Sequence, residues 1–115
     1  MKKIILTVAI LMGTMVAMSQ LNANAQYMKE KESLSDYYEG IKCAAVEQWG
    51  NDNSMIIYTI NQEVNAFFEM LGLKEKVSGD FFSDAYYKWR NEDCGFTSWS
   101  MVLYEIKEQI KNSEY

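Results

Sequence analysis

The sequence predicts a small all-α protein, a compact bundle of about four short helices with one disulfide. Three observations predict this fold. Apolar residues recur at three- and four-residue spacing after residue 33, the chain contains no proline, and two cysteines, Cys43 and Cys94, lie about 50 residues apart. Because each amphipathic helix must bury its apolar stripe, four of them joined by short connections pack most simply as a bundle.

The first two predicted helices occupy the stretch between Ser33 and Gly72. The first takes Ser33 or Ser35 as its N-cap and stops at Gly50. Its apolar positions are Leu34, Tyr37, Tyr38, Ile41, Ala45 and Trp49. The second starts at Asn53 or Ser54, ends at Gly72, and has the apolar face Ile57, Ile60, Val64, Phe67, Phe68 and Leu71. The β-branched segment from Met55 to Ile60 leaves a strand open, but helical spacing continues for several turns beyond it.

Two further helices are predicted in the C-terminal half. A charged connector, residues 73–77, leads to Ser78, which caps a third helix from about Asp80 to Asn91. Its inward positions are Phe81 or Phe82, Ala85, Tyr86 and Trp89. Thr97 or Ser98 opens a fourth helix, and the tail from Asn112 is expected to fray. The apolar stripe of this fourth helix is Trp99, Val102, Leu103, Ile106 and Ile110.

The N-terminus has the pattern of a cleavable secretory signal peptide, residues 1–25. Lys2 and Lys3 precede an apolar run of about 15 residues, and Ala23 and Ala25 stand at the small-residue positions of a processing site. The alternative, an uncleaved membrane anchor, needs about 20 apolar residues. We therefore predict cleavage after Ala25, a polar leader at 26–32, and a helical domain at 33–115 that is exported to the periplasm or out of a bacterial cell.

The charge balance excludes two classes of partner. Removing Lys2 and Lys3 with the signal peptide leaves nine basic against sixteen acidic residues, a net charge of −7. Nucleic acid and anionic lipid both attract basic surfaces, so neither is expected to bind, and no stable membrane insertion is expected after cleavage. A cationic protein partner is slightly favoured, although negative charge also serves solubility.

The two cysteines are predicted to form one structural disulfide. In an oxidising compartment, Cys43 and Cys94 pair most simply with each other. Closing a loop of that length constrains the unfolded chain by about 4 kcal/mol. The alternative, a redox or nucleophilic thiol, has neither a C-x-x-C motif nor a histidine to support it.

The sequence offers few residues for catalysis or for cofactors. Without histidine, the Ser-His and Cys-His nucleophile pairs and imidazole-ligated zinc are excluded, and no phosphate-binding glycine motif is present. A carboxylate pair of the kind glycosidases use remains open. Two clusters of asparagine and acidic residues, 51–53 and 91–93, could suggest calcium, but neither matches the calcium-loop motif and their positions at predicted helix ends favour capping and turns. We predict no catalytic residue, no metal and no cofactor.

Aromatic residues supply the candidate binding site. Eight of the 16 aromatics are neighbours in sequence, the doublets being Tyr37/Tyr38, Phe67/Phe68, Phe81/Phe82 and Tyr86/Tyr87. Adjacent helical residues point about 100° apart. Either the apolar faces are broad or some of these rings are exposed for binding, as tyrosine and tryptophan often are at protein interfaces. The densest group, Tyr86, Tyr87, Trp89 and Arg90, is predicted to contact a protein partner, with carbohydrate stacking left open.

Together these features predict an exported, non-enzymatic protein that acts by binding a protein partner. With Cys43 in its first helix and a second cysteine in its C-terminal half, its architecture resembles that of the small periplasmic immunity proteins. That resemblance implies a toxin or effector as the partner. Two other hypotheses stand beside it, a structural or accessory subunit of an envelope assembly and a small carboxylate-dependent hydrolase.

Overall fold

A computed structural model describes residues 20–113, most of which are α-helical. The helices are α1 (Ala23–Glu30), α2 (Ser35–Trp49), α3 (Asn53–Leu73), α4 (Gly79–Lys88) and α5 (Trp99–Ser113). A 3₁₀ turn, Lys74–Lys76, follows α3, and two short antiparallel strands, β1 (Arg90–Asn91) and β2 (Phe96–Thr97), join α4 to α5. The predicted all-α fold is confirmed. The first 19 residues of the predicted signal peptide and the last two of the chain lie outside the described part.

The longest helix, α3, is the centre of the bundle. It packs against α2 on one side and α5 on another, while α1 contacts both α2 and α3. The core includes the fully buried side chains Met28, Ile41, Val64, Val102 and Ile106. The segment from Met55 to Ile60, for which a strand was left open, is helical. Within residues 20–113, no helix is both long and apolar enough to cross a membrane.

Helix ends follow the predicted boundaries closely, with some changes of capping residue. Ser78 caps α4 as predicted, its Oγ accepting from the Phe81 N–H at 3.1 Å. Helix α3 starts at Asn53 as predicted, and Asp52 caps it, because its carboxylate accepts from the Met55 N–H. The serine N-cap predicted for α2 is wrong. Leu34 occupies that position, and Ser35 donates back to the Glu32 carbonyl instead.

The stripes predicted for α2 and α5 lie largely inward, with only Tyr37 of the α2 stripe exposed, while the buried face of α3 differs from the predicted one. In α5, Trp99, Val102, Leu103 and Ile106 are buried and Ile110 is partly buried. In α3 the buried positions include Ile56 and Met70, whereas Leu71, predicted to be inward, is 49% exposed. Ile60, Val64 and Phe67 are buried as predicted, and the buried face is wider than a single stripe because α3 is covered by three helices rather than by one.

Two segments differ from the predicted organisation. Residues 26–30, assigned to a polar leader, belong to α1, which begins three residues earlier at Ala23. The third predicted helix ends at Lys88 instead of Asn91, because the chain there turns into β1 and pairs with β2. The Trp89 carbonyl accepts from the Ser98 N–H, which closes this hairpin directly before α5.

The predicted disulfide is present and holds the hairpin turn against α2. Cys43 and Cys94 are bonded, with 5.5 Å between their Cα atoms. On α2, three residues before Cys43, Gly40 lies so close to the turn that an added Cβ would sit 2.7 Å from the Gly95 carbonyl oxygen. Gly95 itself has a φ of +63°, which favours glycine. Gly40 and Gly95 therefore allow α2 and the hairpin turn to lie close together, and the disulfide links the two elements covalently.

A buried carboxylate joins the centre of α3 to the start of α5. Glu63 is 7% exposed, and one of its oxygens accepts from the Ser100 N–H at 2.9 Å. Its other oxygen accepts from the hydroxyls of Ser98 and Ser100, at 3.2 and 2.7 Å. A negative charge at a helix N-terminus interacts favourably with the helix dipole. Glu63 thus caps α5 from a different helix.

Candidate binding surface

The four predicted binding residues lie close together at the junction of α4 and the hairpin. Tyr86 and Tyr87 are in the last turn of α4, Trp89 is its C-cap, and Arg90 begins β1. Their exposure differs greatly. Tyr87 is 67% exposed, whereas the other three side chains are only partly accessible.

Tyr86 and Arg90 are largely committed to contacts within the protein. The Tyr86 ring lies 5.8 Å from that of Trp99 in the core, and the Arg90 guanidinium lies 5.3 Å above the centre of the Tyr86 ring. Arg90 also donates to the Thr97 hydroxyl at 3.3 Å and pairs with Glu92. These contacts attach the hairpin to α4, so a structural role accounts for both side chains.

Trp89 faces α5. Its indole N–H donates to the Glu105 carboxylate, and the Lys88 ammonium lies 5.3 Å from the centre of one of its rings. Lys88 also pairs with Glu105 at 3.4 Å. The tryptophan is therefore fixed in orientation by both a hydrogen bond and a cation–π contact.

An open groove between α4 and α5 lies beside Trp89. Its volume is about 330 Å³. We call it the α4–α5 groove, and its lining residues are Phe81, Lys88, Trp89, Met101, Tyr104, Glu105, Glu108, Gln109 and Asn112. Tyr104 is 59% exposed. The groove thus combines aromatic and thioether surface with three charged side chains.

Tyr104 and Met101 were missed by the sequence analysis. Both lie on α5 outside the clean apolar stripe, and they are separate in sequence from the dense aromatic group of α4. A usable signal was present. An aromatic residue on the otherwise polar face of an amphipathic helix is not needed for the core, so its exposure could have been predicted.

The aromatic doublets divide between the interior and the surface. Tyr38 and Phe67 are buried, while their neighbours Tyr37 and Phe68 are more exposed. The Phe67 ring stacks edge-on against Trp99 at 5.2 Å. The expectation that some of these rings remain accessible is confirmed, and most of the partly buried ones form one aromatic network with the core.

Burial also affects one ionisable aromatic group. Tyr38 is 4% exposed, and burial, with a smaller contribution from the negative charge of Glu39, raises the pKa of its phenol above the ordinary value. The neutral phenol is consequently the form that the fold favours.

One residue from each of the clusters 51–53 and 91–93 makes a local hydrogen bond, and the two cysteines form the disulfide. Asp52 caps α3, as expected for residues 51–53, whereas residues 91–93 lie in the hairpin rather than at a helix end, and the Asn91 side chain accepts there from the Cys94 N–H. The Glu47 carboxylate lies 3.3 Å from the Cys94 sulfur. Cys43, Glu47 and Cys94 would have metal-ligand spacing, but both sulfurs are joined in the disulfide and offer no thiolate.

Comparison with known proteins gives no further guide to the role of this surface. Neither the protein-family models, nor the curated proteins, nor the solved structures contain a match to the chain.

Proposed function

We propose that this chain is an exported helical protein that acts by binding a protein partner at the α4–α5 groove and at Tyr87, which directly precedes the groove residue Lys88 in α4. The observation that carries the proposal is the exposure of large aromatic side chains there, with Tyr87 at 67% and Tyr104 at 59%. Tyrosine and tryptophan are enriched at protein interfaces because they bring large contact area at a low entropy cost.

The scaffold beneath this surface supports the proposal. Trp89 is held by Glu105 and Lys88, and the hairpin that follows it is held to α2 by the disulfide. A surface whose side chains are fixed before binding loses less conformational entropy when a partner docks. The same disulfide is compatible with an exported protein, because such bonds persist in oxidising compartments.

A toxin or effector is the partner class that we propose, as for the periplasmic immunity proteins that the chain resembles in architecture. Such an inhibitor works by occlusion and needs no catalytic group. The net negative charge of the exported chain would assist association with a cationic face of the partner. A toxin or secretion-system gene next to the gene for this chain would support this partner class, and a gene standing alone would count against it.

Site-specific photo-crosslinking in the cell envelope tests the binding surface. A photoreactive phenylalanine analogue replaces Tyr87 or Tyr104 in the full-length chain, which is expressed in its own host and irradiated. We expect a single crosslinked protein, the same from both positions. The matched control is Tyr58 on α3, a tyrosine that is 46% exposed but does not line the groove. Equal crosslinking from all three positions, or none from Tyr87 and Tyr104, would refute the proposed surface.

A structural subunit of an envelope assembly is the alternative that the sequence left open, and it predicts self-association through the same rings. Light scattering on the purified exported chain separates the two. The binding proposal expects a monomer at micromolar concentration, whereas a stable homo-oligomer would favour the subunit.

One observation favours a second function, carboxylate-dependent hydrolysis. Glu105 and Glu108 line the groove together with Trp89, and glycosidases combine acid pairs with aromatic platforms. Glu105, however, is engaged by Lys88 and Trp89 within the protein. Turnover of a peptidoglycan or glycan substrate that is lost in Glu108→Gln would establish the hydrolase, and no turnover across a panel would dismiss it.

A further inference from the structure

Residues 20–25, which the sequence assigns to the end of the signal peptide, are built into the folded domain. Ala25 has no exposed surface, and neither does Met28, which lies one turn later on the same side of α1. Asn22 is the N-cap of this helix, its side chain accepting from the Ala25 N–H at 2.8 Å. The bond after Ala25 is therefore inside the first turn of a packed helix.

Two asparagines of α3 hold this segment in place. The Asn61 side chain accepts from the Asn22 N–H at 2.9 Å and donates to the Gln20 carbonyl at 2.8 Å. Asn65 accepts from the side chains of Asn22 and Asn24, at 3.2 and 3.1 Å. Because residues four apart share a helix face, Asn61 and Asn65 form a single polar contact for residues 20–24.

Cleavage after Ala25 would remove every residue that Asn61 and Asn65 contact in this segment. It would delete the N-cap and the first three residues of α1, leaving only 26–30 of the helix. Five residues are too few to form a helix without strong packing, since the first hydrogen-bonded turn is costly to nucleate. The buried position of Met28 depends on that helix, so the packing of α1 described above requires residues 20–25.

We propose that signal peptidase cuts the chain after Ser19, so that the mature protein begins at Gln20. Ala17 and Ser19 are small residues at the third and first positions before this bond, the same pattern that Ala23 and Ala25 provide for the later bond. Water adds across the Ser19–Gln20 peptide bond, leaving a carboxylate on Ser19 and an amine on Gln20. The inference rests on the proposed export.

Mass spectrometry of the exported chain tests the position of the cut. The full chain is expressed in a bacterium with a general secretory pathway, and the protein is recovered from the envelope fraction. Intact mass and the N-terminal peptide are measured, because both cuts expose a glutamine whose cyclisation blocks chemical sequencing. We expect a chain that lacks residues 1–19 and retains Gln20 to Ala25.

The alternative results are distinct from one another. An exported chain that begins at Gln26 would overturn the cut after Ser19 and leave the proposed export standing. An uncut chain retained in the cytoplasm would overturn both.

Two leucine variants give a matched comparison, since a bulky residue at the third position before the bond blocks processing. Ala17→Leu should slow the appearance of mature protein at least tenfold. Ala23→Leu, at an exposed position of α1, should be processed at the wild-type rate. The reverse pattern would overturn the inference, whether or not either variant folds normally, because processing is measured directly.

Discussion

Replacement of Gly40 by alanine tests the close packing of α2 against the hairpin turn. The new Cβ would lie 2.7 Å from the Gly95 carbonyl oxygen and 3.4 Å from that of Cys94, both of them backbone atoms. The hairpin turn cannot easily move away from α2, because the adjacent disulfide links the two. Gly40→Ala therefore requires a shift of several tenths of an ångström in a well-packed region.

The expected free-energy change is a difference between two effects. Overpacking of a core typically costs about 1–3 kcal/mol. Alanine gains about 1 kcal/mol over glycine inside a helix. We therefore expect Gly40→Ala to lower the free energy of unfolding by about 0–2 kcal/mol, with a central value of about 1 kcal/mol. The matched control is Gly72→Ala in α3, where the added Cβ meets nothing within 4 Å, and it should stabilise the protein by about 0.5–1 kcal/mol.

Urea unfolding followed by tryptophan fluorescence measures both variants with the disulfide intact. With a slope of about 2 kcal/mol per molar urea, the two midpoints should differ by about 1 M, Gly40→Ala being the lower. If Gly40→Ala were as stable as Gly72→Ala, α2 and the turn would not be in the contact described.

Three further predictions concern stability. Replacing Cys43 and Cys94 together by serine should lower the free energy of unfolding by about 4 kcal/mol, measured by urea unfolding; a loss under about 1 kcal/mol would mean that the bridge adds little. Glu63→Ala should cost about 3 kcal/mol, because the Ser100 N–H loses its charged acceptor, whereas Glu75→Ala at an exposed site should be neutral. Stability should fall as pH rises above about 10, since the Tyr38 pKa is raised in the fold and only the unfolded phenol ionises readily. The melting temperature measured between about pH 9 and pH 11 should fall less in Tyr38→Phe than in the wild type. Equal falls in the two proteins would contradict the assignment of this pH dependence to Tyr38.

Much of the fold was predictable because local signals and tertiary packing agree. The apolar stripe of α5, the cap at Ser78 and the stop at Gly50 are short-range features that can be read from neighbouring residues. The disulfide followed from the presence of only two cysteines in a chain with a signal-like N-terminus.

The missed features depend on contacts between residues distant in sequence. Asn61 and Asn65 stabilise the segment before α1 across about 40 residues, and nothing local marks them as its partners. In the sequence, Glu63 is not distinguished from the other polar residues of α3. Its role as a cap follows only from the tertiary packing that brings the N-terminus of α5 next to its carboxylate. The strands are two residues each, too short for a period-two pattern to be recognised.

The grouping of the four candidate residues was predictable from the sequence, but the exposure of each side chain was not. The high concentration of aromatic residues in this part of the sequence indicated a group of four residues. They lie together at the end of α4 and the start of β1: Tyr86, Tyr87, Trp89 and Arg90. The exposure of each ring could not be predicted because it depends on the hairpin. The hairpin places the Arg90 guanidinium over the Tyr86 ring, while Tyr87 remains exposed. Whether these side chains contact a partner remains a prediction.

The affinity of the crosslinked partner for two tyrosine variants tests the proposed function most directly. Tyr104→Ala removes an exposed ring from the α4–α5 groove, and Tyr58→Ala removes one from α3. We predict that Tyr104→Ala raises the dissociation constant at least tenfold, which corresponds to about 1.4 kcal/mol of binding free energy, while Tyr58→Ala leaves it unchanged. Equal affinities for both variants and the wild type would contradict the account.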